Sequence, residues 1–106
     1  MSKVMYTDYQ ISGNLRRATK KGLLASLSKK QLIELTDKYF RDKNGVLHCA
    51  YSWEPIANQD DLELEHVIPI SRGGGTVLFN VVPSISSING MGEEIGRAHV
   101  WTPVTG

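Results

Sequence analysis

The chain of 106 residues has one cysteine, Cys49, only four prolines, and 8% aromatic side chains. A single thiol excludes an internal disulfide and any structural zinc site built mainly from thiolates. No apolar run reaches the roughly 18 residues of a membrane-crossing helix, so no membrane partner is expected. The first ten residues, MSKVMYTDYQ, lack the apolar segment of a secretory signal, and the expected location is the cytoplasm. Net charge is also nearly absent at +1, so bulk charge names no partner. What is present, 41% apolar and 22% charged residues, is an ordinary globular mix. The length suits one small domain with limited burial and marginal stability.

The low net charge hides a split. Residues 1–45 carry ten basic side chains, among them Arg16, Arg17, Lys20 and Lys21, against four acidic ones, a balance of +6. Residues 46–106 carry Arg72 and Arg97 against seven carboxylates, a balance of −5. A basic segment beside an acidic remainder suits a protein that holds a polyanion with one part and a metal with another. On charge alone, a solvated helix face is the more ordinary reading.

Residues 1–14 show little periodicity and read as an arm, with a helix end at residues 16–21. Ser28 reads as an N-cap with Gln31 as its capping-box partner. Leu32, Leu35, Tyr39 and Phe40 then form an apolar stripe, predicting a core-facing helix over residues 28–41. Asp42-Lys43-Asn44-Gly45 reads as a turn, and residues 46–51 as a short strand in which His48 is a strand residue rather than a ligand. Residues 63–68 read as a half-buried strand closed by Pro69, and residues 71–76 as an irregular, flexible loop. A second strand is expected over residues 79–82, ended by Pro83, and a helix over residues 84–93 capped by Ser84.

The chemistry is carried by Glu65-His66-Val67-Ile68-Pro69-Ile70-Ser71-Arg72-Gly73-Gly74, then Asn80-Val81-Val82-Pro83, then Asn89. Adjacent strand residues face opposite sides, so Glu65 and His66 share a site only where the strand bends or ends. With its spacings of 14 residues from His66 to Asn80 and nine from Asn80 to Asn89, this stretch resembles the HNH nuclease family. The match extends over about residues 16–92 and is similar to the HNH unit of phage proteins and RNA-guided nucleases. The resemblance implies an α+β fold with a ββα-metal (His-Me finger) core preceded by N-terminal helices. It implies a metal-dependent endonuclease that hydrolyses DNA phosphodiester bonds.

Position by position, the resemblance makes His66 the general base that deprotonates the attacking water. Glu65 and Asn89 become ligands to Mg²⁺ or Mn²⁺, hard cations that suit oxygen donors. Asn80 completes the catalytic pattern by fixing the loop around His66 through backbone hydrogen bonds. Arg16, Arg17, Lys20, Lys21 and Arg72 are expected on nucleic-acid phosphates. Many relatives also hold a zinc on two C-x-x-C pairs; here those positions read Cys49-Ala50-Tyr51-Ser52 and Ile85-Ser86-Ser87-Ile88, so no structural zinc is expected. Trp53 stands where relatives commonly have glycine, which predicts backbone strain.

Residues 94–105 resemble the translation of a common sequencing-library adapter with its TGA triplet read as tryptophan. The expected organisation is therefore a basic arm over residues 1–27, a truncated HNH domain over 28–93, and a non-native tail over 94–106. The competing readings are a non-catalytic nucleic-acid-binding module and an inactive truncated fragment.

Overall fold

The computed structural model describes residues 3–86. Asn89, Ile88, most of the helix expected over residues 84–93 and the tail at 94–106 lie outside them. The described chain is a small α+β unit of two helices and two two-stranded sheets. Helix α1 spans Asp8–Lys20, β1 Ala25–Ser26 and α2 Lys29–Phe40. After a loop come β2 (Leu62–His66), β3 (Thr76–Val77) and β4 (Val81–Ile85). No helix among the described residues is long and apolar enough to cross a membrane.

The first helix begins earlier than the sequence suggests. Residues 1–14 are not all an arm, because Thr7 caps α1. The Thr7 hydroxyl accepts from Gln10 N at 3.1 Å, and the Gln10 side chain accepts from Thr7 N at 2.9 Å. This reciprocal capping box starts a helix of mostly polar sequence that buries Ile11, Asn14 and Ala18. In α2, Ser28 caps as expected, accepting from Gln31 N at 3.3 Å. Leu32 is buried, and Phe40 is packed against the core. Tyr39 is 57% exposed and leaves the stripe, and Thr36 takes the buried inner position.

The core joins Tyr6 and Ile11 from the N-terminal region to Leu32, Leu47, Cys49, Ile56, Leu62, Leu64 and Val81. Each fully buried aliphatic side chain contributes ~1.5–3 kcal/mol. The turn at residues 42–45 forms around Asp42, whose Oδ1 accepts from Asn44 N at 2.8 Å and Val46 N at 3.0 Å.

Strands β2 and β4 pair antiparallel over five residues, from Leu62 opposite Ile85 to His66 opposite Val81. β4 therefore extends beyond Pro83, and Ser84 is a buried strand residue opposite Glu63 rather than a helix cap. The Pro83 carbonyl accepts from Ala50 N at 2.9 Å. In an antiparallel strand a residue's N–H and C=O point the same way. The N–H that proline lacks would have faced away from β2, so no ladder bond is lost. Ile85 packs partly buried against the core.

Candidate active site

Along β2 the side chains alternate, with Leu62 and Leu64 buried and Glu63 exposed, and the strand ends at His66 with a bend at residues 67–68. His66 follows the buried face and is itself half-buried. Its Nε2 lies 2.8 Å from the Thr76 hydroxyl. Glu65, opposite Val82 in β4, is also half-buried. Glu65 and His66 are both within the paired ladder, so by strand alternation the carboxylate lies on the face opposite the imidazole, and the bend expected to bring them together begins only after His66, at residues 67–68.

Asn80 ties down the loop between the strands. Its Oδ1 accepts from Ile68 N at 2.8 Å, while Nδ2 donates to Ile68 O at 3.1 Å and Gly75 O at 2.8 Å. One carboxamide therefore holds the residue two after His66 and the residue before Thr76. Its own carbonyl accepts from Val67 N at 2.9 Å, continuing the β2 ladder past His66. The loop expected to be flexible over residues 71–76 is irregular but locked. Pro69 O accepts from both Arg72 N and Gly74 N at 2.9 Å. Gly74 is buried against the Ile68 carbonyl, where a Cβ would overlap backbone. Gly73 turns at φ +93°, a left-handed conformation that suits glycine.

Helix α1 packs against β1, β2 and β3 and carries part of the basic cluster to this site. The Arg17 guanidinium hydrogen-bonds to the Asn14 side chain, which in turn donates to Gln10 O at 2.6 Å. Burial, and then the positive charge of Arg17, push His66 below the usual histidine range, which keeps the ring neutral. Arg16, Lys20 and Lys21 at the end of the helix are exposed, and Arg72 is exposed on the loop. Other cations of the basic segment have structural partners: Arg41 Nε bonds Asp37 Oδ1 at 2.6 Å, and Lys29 reaches Asp8 at 2.6 Å.

Among the described residues, no three His, Cys, Asp or Glu side chains gather as a metal cluster. Glu65 is the described member of the oxygen-donor pair expected from the sequence, and Asn89 lies beyond the described residues. A single carboxylate completed by waters is a donor set that Mg²⁺, which takes few protein ligands, accepts.

His48, a second histidine, is built into a different device. Its Nδ1 lies 2.7 Å from Trp53 O, its Nε2 lies 2.9 Å from Asp42 Oδ2, and its ring stacks on the Trp53 indole at 4.4 Å. Both nitrogens face acceptors, which favours the imidazolium. The bond to Asp42, then that to Trp53 O, hold His48 above its ordinary range, and Asp42 is held below its own, chiefly by His48. Trp53 has φ +61°, the one described non-glycine residue in the left-handed region. Cys49 is buried, its Sγ 3.9 Å from Ser84 Oγ.

Two residues at the site are not evident from the sequence. Thr76 follows three glycines and reads as loop, and Asn14 reads as part of an arm. A threonine at the end of the loop is a weak signal for the first, and the Thr7–Gln10 spacing ahead of Asn14 for the second. No protein-family model matches the chain, and no curated protein matches it.

Proposed function

We propose that the chain is a metal-dependent endonuclease of the HNH type, acting on DNA inside a bacterial or phage-infected cell. The observation that carries this reading is the Asn80 clasp. A single carboxamide closes the loop on both sides, immediately after a strand that ends in Glu65-His66. The strand–loop–strand unit then corresponds to the first two elements of a ββα-metal core.

In this reading His66 takes the proton from the attacking water. Burial and Arg17 hold the ring neutral, the form a general base requires. Asn80 holds the loop and touches no substrate. Arg16, Arg17, Lys20, Lys21 and Arg72 lie against phosphates, gripping the duplex without reading its sequence. Glu65 and Asn89 would hold Mg²⁺ or Mn²⁺, which when bound supplies charge neutralisation at the scissile phosphate and the leaving oxygen.

The test is nicking of supercoiled plasmid by the full chain with Mg²⁺, against His66→Ala. Cleavage that needs the metal and is lost in the variant supports the proposal. Binding without cleavage indicates a nucleic-acid-binding module, and cleavage unchanged by the substitution removes His66 from the mechanism.

A further inference from the structure

Thr76 is fully buried at 0% exposure, and its hydroxyl sits between two partners. Oγ1 donates to the Asn14 carbonyl oxygen of α1 at 2.9 Å and stands 2.8 Å from His66 Nε2. A hydroxyl has one proton, and a carbonyl oxygen can only accept. The Thr76 proton is therefore committed to Asn14, and toward His66 the hydroxyl presents a lone pair. Nε2 must supply the hydrogen of the second bond.

We infer that Thr76 is a positioning residue, its hydroxyl anchored on α1 and holding His66 as the Nε2–H tautomer with the lone pair on Nδ1. The chain of contacts runs from the Asn14 backbone through Thr76 Oγ1 to the imidazole. It orients the ring from behind, as an orienting group does for the base of a catalytic pair. Helix α1 is thereby part of the site's support and not only a carrier of positive charge. Thr76 N donates to Leu24 O at 2.8 Å, and Thr76 pairs with Ala25 in the parallel β1–β3 ladder. Its backbone is fixed independently of the hydroxyl. The mechanistic consequence rests on the proposed nuclease reading and makes Nδ1 the atom that accepts the water proton. The tautomer itself rests only on the two hydrogen bonds.

The experiment is ¹⁵N NMR of the imidazole nitrogens of His66 in the labelled full chain at pH ~8.5, where an ordinary imidazole is neutral. Wild type is expected to show a protonated Nε2, an unprotonated Nδ1, and a slowly exchanging Nε2–H resonance. Thr76→Ser keeps all three. Thr76→Val, similar in shape but without the hydroxyl, loses the slowly exchanging proton while retaining its fold by circular dichroism. A protonated Nδ1 in wild type overturns the inference, as does a protected Nε2–H that persists in Thr76→Val. These readouts need no catalysis, so they decide the tautomer separately from the nuclease reading. Where nicking is measurable, Thr76→Val is expected to cut at least ~10-fold more slowly, the low end of what a positioned base supplies, and Thr76→Ser to restore most of the rate.

Discussion

Asn80 offers the most quantitative test of how the site is held. Replacing it with alanine removes three hydrogen bonds, at 2.8, 3.1 and 2.8 Å. At about 1 kcal/mol net for each, the expected loss is ~3 kcal/mol, a large part of the ~5–15 kcal/mol that stabilises an ordinary domain. For a chain of this size that corresponds to a fall in Tm of roughly 10–25 °C. Asn80→Asp is the sharper perturbation because it preserves shape. One carboxylate oxygen still accepts from Ile68 N, but the other faces the carbonyls of Ile68 and Gly75, to which Nδ2 had donated. Two attractive contacts become repulsive, and a charge enters a buried position. At neutral pH the Asp variant is expected to be no more stable than the Ala variant. It should recover stability in acid, where the introduced carboxyl gains a proton and can donate. Urea denaturation followed by circular dichroism measures both. An Ala variant that loses less than ~1 kcal/mol, or an Asp variant of wild-type stability at pH ~7, would refute the reasoning.

Other expectations follow from the same geometry. Gly74→Ala places a Cβ against the Ile68 carbonyl and 2.9 Å from Asn80 Nδ2. It should cost ~1–3 kcal/mol as the loop backbone shifts, and wild-type stability would show that the loop is not packed as described. For His48, a pKa raised by folding means a contribution present at low pH and lost as pH rises through the raised value. For Asp42, a lowered pKa means a contribution present above the ordinary carboxylate range and lost as pH falls through the lowered value. Wild type should therefore exceed Asp42→Asn in stability most clearly between the two ranges, at pH ~5–6, with the gap closing in alkali. A gap independent of pH contradicts the ion pair.

The parts of the fold legible in the sequence are those set by local rules. The cap at Ser28 and the apolar positions Leu32 and Phe40 defined α2, and Asp42 to Gly45 defined a turn. Tyr39 broke the stripe because periodicity cannot tell a core-facing position from one at the rim. The start of helix α1 went unread because its core-facing positions, Ile11, Leu15 and Ala18, are sparse in a mostly polar segment. Pro83 suggested a strand end because its harmless orientation depends on β2, a partner remote in sequence. Glu65, His66 and Asn80 stood out as a pattern. The bonds of Asn80 to Ile68 and Gly75, and the placement of Thr76 between His66 and Asn14, depend on tertiary packing that no local spacing encodes.

The proposed seat for a hard cation is Glu65, and direct binding tests it most simply. Titration of the ¹⁵N-labelled full chain with Mn²⁺ should broaden first the amide resonances of residues 64–68, and Glu65→Gln should abolish that selectivity. Broadening centred on another carboxylate, or identical in Glu65→Gln, would contradict the account.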